Sequence, residues 1–465
     1  MRDWTLTAGL CTLAGLALYL SPNLQAATPG APATPAAPAV PVTPMAAPVA
    51  DAAGATLTVD LDRATVANGR VETRYLTVDL TMPAVSHSER KPLDLAVVID
   101  NSGSMSGEKI ANARAAAHHL VDALSPEDRF SLVVFDSRAN VLVSPTLAAD
   151  RAPLHQAIDR IRDAGGTNLY AGLDVGLREL GNDGRIPRLI LLSDGQTNEG
   201  ITDPGEIARR ASNAFERGVG ISTIGLGIDF NEDLLFSIAK SGGGSYDFVA
   251  DPTQLASVFA DELDHSTSLA GRQAVVYLDL GPDVEAVEVF GWAAVPTERG
   301  WRVSLGDLPS SATRRLVAEV KVRATRTAPL QVASARATWL DADGQPRDAS
   351  ATETVEVSTS LAQADASVIQ EVERAAAYVV GNALSMRSAA AYAAGNAAEA
   401  TGLVRASRAQ FQRAADLGSA KAAARMEDVE EQEAEQLRDA PSSEAGRRNI
   451  KEKKALSALG YVDAE

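Results

Sequence analysis

The chain has 465 residues, 45% hydrophobic and 22% charged, which excludes a disordered chain or a polytopic membrane protein and suggests roughly two to three domains. Its 61 acidic side chains against 43 basic ones give a formal charge of −18, so the chain as a whole lacks the electrostatic footprint of nucleic-acid binding and better suits a cationic partner or a metal. The single cysteine, Cys11, excludes a disulfide framework, a multi-thiolate metal site and a CxxC redox motif.

Arg2 precedes an uncharged, largely apolar run over residues 4–20, with the small residues Ala26 and Ala27 just beyond. This predicts an export signal over 1–26, with an uncleaved membrane anchor as the alternative, and hence a periplasmic, envelope-associated or secreted protein. Over 27–54 prolines recur every third position from Pro29 to Pro44, the polyproline II period, which predicts a semi-rigid spacer. Residues 55–85 predict a β-hairpin, because Leu57, Val59 and Leu61, then Leu76, Val78 and Leu80, alternate with polar positions around the turn pair Asn68-Gly69.

The texture changes over 90–268, where the apolar runs LDLAVVID, FSLVVFD, PRLILLSD and GISTIGLG alternate with amphipathic stretches. Continuous apolar strands between helices predict a doubly wound, mostly parallel α/β sheet covered on both faces. Short alternating segments return over 272–358 and predict antiparallel strands. A two-stranded hairpin is marginal alone, so the two β regions are expected to form one sandwich interrupted by the α/β insertion. Its Trp292, Trp301 and Trp339 read as packing anchors. Alanine-rich residues 363–437 carry helical spacing broken near Gly395-Asn396, which predicts a helical hairpin. The end, 438–465, reads as a charged tail whose basic run is a solvated face.

The first apolar strand of the α/β region ends in Asp100-Asn101-Ser102-Gly103-Ser104, two later segments bring Thr167 and Asp194, and ligands gather at such strand ends. Asp100, Ser102, Ser104, Thr167 and Asp194 offer only oxygen, and hard oxygen donors favour Mg²⁺, with Mn²⁺ or Ca²⁺ as alternatives, over zinc or copper.

With those five residues and the stretches GGTNLYAGL and LLSDGQTNEGITDP, the region resembles von Willebrand factor type A domains with their metal-ion-dependent adhesion site. It resembles in particular exported bacterial members, inter-α-trypsin inhibitor heavy chains and calcium-activated chloride channel homologues. The resemblance implies a metal held by Ser102, Ser104 and Thr167, with Asp100 and Asp194 acting through water and one position open to a partner's carboxylate. Extra aspartates that hold a second adjacent ion in integrin β members are absent, since Met105-Ser106-Gly107-Glu108 follows the motif.

Enzyme motifs fail at their key positions. Haloacid-dehalogenase phosphotransfer needs a second acid where Ser102 stands, a hydrolase elbow is missing around Ser104, no phosphate loop occurs, and Phe230 replaces the third glycine of a dinucleotide fingerprint. The five histidines, His87, His118, His119, His155 and His265, form no ligand motif by spacing. The expectation is a non-enzymatic binding protein that recognises an Asp or Glu of a protein partner through the metal. The alternative is an envelope scaffold in which the helical hairpin makes the main contact.

Overall fold

The computed structural model describes residues 49–50, 54–84, 91–181, 183–227, 230–341 and 343–459. The export segment and the proline-rich spacer as far as residue 48 lie outside them. β1 (Val49–Ala50) pairs with β2 (Thr56–Leu61), and β2 pairs antiparallel with β4 (Val71–Thr81). Leu57, Val59, Leu61, Leu76, Val78 and Leu80 are all buried on one face, as period-two alternation requires. Between them lies β3 (Thr65–Ala67), so the expected simple hairpin over 55–85 carries a third strand. Asn68-Gly69 is therefore not a hairpin turn: Gly69, at φ 76°, turns the chain from β3 to β4, which belong to different sheets.

The α/β body follows. In chain order it is β5 (Leu93–Asp100), α1 (Glu108–Ala123), β6 (Arg129–Phe135), β7 (Ala139–Leu147), α2 (Ala152–Ile158), α3 (Leu169–Glu179) and β8 (Ile186–Ser193). Then come α4 (Pro204–Phe215), β9 (Gly220–Leu226), α5 (Glu232–Gly242), β10 (Gly243–Val249) and α6 (Leu255–Thr267). The sheet order is β10-β9-β8-β5-β6-β7, parallel except for the edge strand β7. Leu95, Val97 and Ile99 of β5 pack with Ile110, Leu120 and Phe259, while Ala96 and Val98 pack on the opposite face with Leu173, Ile207 and Leu235. Burial on both faces is why this strand is apolar throughout rather than alternating. From β5 the chain builds outward to β6 on one side and later to β8 on the other, a switch point in strand order.

The chain then returns to β structure through β11 (Leu269–Leu280), β12 (Val284–Phe290), β13 (Ala294–Pro296), β14 (Gly300–Pro309), β15 (Thr313–Arg323), β16 (Leu330–Asp341) and β17 (Pro346–Ser358). One sheet runs β1-β2-β4-β15-β12 and the other β13-β14-β11-β16-β17-β3. Their inner faces share one core, so the sandwich is a single unit interrupted by the α/β body. Trp301 and Trp339 are buried in that core, and the Trp292 Nε1–H donates to the Arg315 carbonyl at 2.9 Å. The body is fastened to the sandwich by the Arg188–Asp307 ion pair and by the Gln273 amide donating to the Phe215 carbonyl at 2.7 Å.

The C-terminal region contains α7 (Leu361–Ala366), α8 (Gln370–Ala393), α9 (Ala397–Asp416), α10 (Ala420–Arg438) and α11 (Glu444–Leu459). The helices α8 and α9 form the expected hairpin, and α10 packs on as a further long helix. Helix α8 covers the outer face of the first sheet, where Tyr75, Phe290 and Val317 join Tyr378, Val380 and Phe411 in one cluster. Register between helices is set by buried polar contacts: Ser385 donates to Gln432 Oε1 and Ser407 to the Gly381 carbonyl, both at 2.7 Å.

The reading of 438–465 as a solvated charged tail is corrected. Helix α11 docks on the α/β body, and Lys451, 4% exposed, donates to the Phe230 carbonyl and to Glu232, both at 2.6 Å. Lys454 reaches Glu232 at 3.1 Å and Asp233 at 2.7 Å. The acidic N-terminus of α5 supplies the charge that the basic run needs in order to leave water.

Lys451→Glu sets a carboxylate against Glu232 and should loosen α11 by about 2–4 kcal/mol, read as new tryptic cleavage within 444–459 while the main melting transition persists. In the sandwich, burial and the facing Asp60 carboxylate push Glu353 up to about 7. The folded state therefore holds a proton that the unfolded chain releases near 4.5, and stability falls as pH rises from 4.5 to 7. Glu353→Gln should be nearly neutral below that window and stabilising by about 1–2 kcal/mol above it, measured by denaturant melts across pH.

Candidate metal centre

The site lies at the switch point, where β5 and β8 end side by side with Ile99 opposite Leu192. Asp100, 0% exposed, accepts the Ser102 backbone N–H on Oδ1 at 2.9 Å and the Ser193 hydroxyl on Oδ2 at 2.6 Å. The Ser102 and Ser104 hydroxyls are 3.0 Å apart, and Ser104 donates to Asp194 Oδ1 at 2.7 Å. Asp194, also 0% exposed, accepts the Lys109 ammonium on Oδ2 at 2.5 Å. Burial raises the Asp100 carboxyl to about 6, with the Asp194 charge adding to the rise and the Ser102 and Ser193 hydrogen bonds opposing it.

Thr167 arrives on the loop before α3. Its backbone N–H donates to Asn198 Oδ1 at 2.9 Å, and its carbonyl accepts the Asn198 N–H at 3.0 Å, so the loop after β8 clamps it. The loop bearing Ser102 is tied to the same segment by Gly103 N–H donating to the Gly165 carbonyl at 3.2 Å. A Cβ on Gly195 would stand 3.4 Å from Thr167 Oγ1 and 3.5 Å from Ser104 Oγ. Both hydroxyls therefore border one small space that glycine keeps clear. Ser104 is solvent-exposed while Asp100, Ser102, Thr167 and Asp194 are buried, so the donors form a shallow cup open on one side.

All five residues singled out in the sequence converge here. Sequence reasoning missed Ser193, Asn198 and Lys109. For Lys109 a signal existed: it stands in the first turn of α1, at the positive end of the helix dipole, where a lysine is disfavoured unless a carboxylate faces it. The donor set fits a hard divalent cation. Two carboxylates and three hydroxyls converge, all oxygen, and the existing cation contact on Asp194 marks the place where positive charge is favourable. Among the described residues no group of three or more His, Cys, Asp or Glu side chains forms a ligand cluster, and a site with only two carboxylates does not require one.

Residues 94–261 match the family model of the von Willebrand factor type A domain. Such domains are typically non-catalytic binding modules and often carry a metal-ion-dependent adhesion site. An uncharacterized protein of Synechocystis sp. is 30% identical over 227 residues, covering 48% of this chain and 54% of that protein. Inter-alpha-trypsin inhibitor heavy chain H1 of Mesocricetus auratus is 35% identical over 162 residues, 32% of this chain and 18% of the heavy chain. The chain thus spans about half or less of the length of these relatives. Two solved structures share the fold across most of it. A von Willebrand factor type A protein from Catenulispora acidiphila covers 86% of this chain and 96% of its own, with TM-score 0.67 at 18% identity. The ArnB paralog VWA2 from Sulfolobus acidocaldarius covers 88% and 99%, with TM-score 0.59 at 16% identity.

Lys109→Met removes the cation held by the buried Asp194. In chelator this variant should lose about 1–3 kcal/mol of stability relative to the parent, and added Mg²⁺ should raise its melting temperature by more than it raises the parent's.

Proposed function

We propose that this chain is an exported, non-enzymatic binding protein whose α/β body recognises an acidic side chain of a protein partner through a divalent cation. Ser102, Ser104 and Thr167 would hold the cation directly and Asp100 and Asp194 through water, with Mg²⁺ the first choice and Mn²⁺ or Ca²⁺ the alternatives. The observation that carries this reading is the convergence of these five oxygen donors at the switch point of the sheet, with Ser104 and Thr167 bordering the clear space at Gly195.

A bound divalent cation supplies an electrophilic position for an external anion. The chain's own groups set how strong that demand is. Two carboxylates neutralise a divalent charge without exceeding it, and the hydroxyls contribute dipoles but no charge, so the site still favours a partner's carboxylate. Burial keeps Asp100 and Asp194 out of competition with that carboxylate, because their hydrogen bonds to Ser102, Ser193, Ser104 and Lys109 fix them in place. The exposed Ser104 gives the partner its approach. A partner Asp or Glu desolvated there is a hot spot in an otherwise ordinary contact. The scaffold alternative gains less support, since the apolar face of α8 is already spent on the sandwich.

The test is thermal denaturation of the full chain with Mg²⁺, with Mn²⁺ and with chelator, beside Asp194→Ala and Gly195→Leu. Cation at about 100 times its Kd should add roughly 2.7 kcal/mol, and both variants should lose that gain. The parent should then retain Asp- and Glu-bearing peptides from an immobilised library in Mg²⁺ and release them in chelator. Equal retention in chelator, or an undiminished cation shift in both variants, would overturn the proposal.

A further inference from the structure

Away from the oxygen site, α1 and α2 bring together two histidines that lie 37 residues apart in sequence, His118 and His155. Their Nδ1 atoms approach to 2.7 Å, with the ring planes inclined at 25° and the centroids 5.0 Å apart, so the rings meet edge to edge. The outer nitrogens are held reciprocally: His118 Nε2 lies 3.2 Å from Asp159 Oδ1, just past the end of α2, and His155 Nε2 lies 3.2 Å from Asp122 Oδ1 on α1. The side chains are 31% and 29% exposed, so the pair is reachable from solvent.

The arrangement is one proton short. Three contacts, two from imidazole to carboxylate and one from imidazole to imidazole, need three ring protons, whereas two neutral imidazoles carry two. With both Nε2–H groups donating to the aspartates, as acceptor-only carboxylates require, both Nδ1 lone pairs point at each other. A cation between them resolves the conflict. A third proton does so with one positive charge against two carboxylates, and a divalent metal does so with two. The second pattern, imidazole on the metal and its far N–H on a carboxylate, is how proteins orient histidine ligands.

We propose that His118 and His155 form a second metal site, for a borderline ion of the Zn²⁺, Cu²⁺ or Ni²⁺ class. It is bound through the two Nδ1 atoms, with Asp159 and Asp122 orienting the rings and water completing the coordination. Nitrogen donors select this class as hard oxygen donors select Mg²⁺, so the two sites take different ions. Two nitrogens on a tetrahedral zinc lie about 3.3 Å apart, an opening of roughly 0.6 Å from the present contact and within reach of small side-chain rotations. Such an ion staples α2 to α1. No third His, Cys, Asp or Glu joins these as a ligand among the described residues, so the site binds exchangeably rather than permanently.

The experiment titrates the full chain with Zn²⁺ by calorimetry, in excess Mg²⁺ to keep the oxygen site out of the signal, and records pulsed electron paramagnetic resonance with one equivalent of Cu²⁺. Zn²⁺ should bind at one equivalent that His118→Ala and His155→Ala each remove. Asp122→Asn with Asp159→Asn, which keeps both rings, should weaken binding about tenfold or more. Cu²⁺ should couple to two imidazoles in the parent and to fewer in either histidine variant. No Zn²⁺ binding in excess Mg²⁺, an unchanged stoichiometry in His118→Ala, or coupling to a single imidazole in the parent would overturn the proposal and leave a proton-bridged pair.

Discussion

The antiparallel pairing of β4 with β15 governs the architecture. Eleven residues of one strand meet eleven of the other, from Thr81 opposite Thr313 to Val71 opposite Arg323, across the whole α/β insertion. Neither partner forms more than a small ribbon from local sequence alone, because β4 has only β2 with the two-residue edge β1 beside it and β15 has only β12. Closing that pair carries the loop entropy of more than two hundred intervening residues, a term that grows only logarithmically and is further reduced if the α/β body is itself compact. Once it is closed, the exit and return of the body are fixed close together, the sandwich core completes, and the outer face of the first sheet becomes the floor on which α8 packs.

The metal centre inherits its precision from the parallel sheet. A parallel sheet aligns the carboxyl ends of its strands, and the change of direction at β5 leaves the ends of β5 and β8 adjacent with no connection crossing over them. Asp100 and Asp194 are thereby buried side by side, which would be unfavourable for two carboxylates in a bare apolar setting. The structure offsets it with backbone and hydroxyl donors and with the Lys109 ammonium. The same features that make the carboxylates tolerable without a metal make the cup attractive to one: fixed oxygen atoms, little reorganisation, and positive charge wanted at one spot.

The net charge of −18 is distributed with structural consequences. The basic run of α11 answers the acidic start of α5, Arg63 and Arg413 both meet Glu373 of α8, and Arg188 meets Asp307 at the seam between body and sandwich. These pairs join elements far apart in sequence, so they specify how the pieces dock more than they hold any single piece together. Helix α11 in particular ties the C-terminal region back to the segment that follows β9, with Lys451 over the Phe230 ring at 4.1 Å.

Much of this was legible in the chain itself. Strand and helix texture in the α/β body follows from periodicity, since a strand buried on both faces must be apolar throughout, and Asp100, Ser102, Ser104, Thr167 and Asp194 stand out as oxygen donors at strand ends in the pattern of the family the region resembles. Even the interrupted sandwich could be inferred from the instability of a lone hairpin. What periodicity could not reveal was which distant charges would meet. The basic run of α11 looks like a solvated face until α5 is placed against it, and β3 looks like part of a hairpin loop until β17 offers it an edge. Ser193 is an ordinary residue until the strand ends place it beside a carboxylate. His118 and His155 show the same limit: one-dimensional spacing reports neighbours on one helix, whereas a contact between two helices depends on how both pack on a common sheet. The sequence by itself determined most of the elements and singled out the five oxygen donors, because these follow from local pattern and motif. Only the tertiary structure decided which charges and rings are buried together, because that depends on packing between segments that share no local signal.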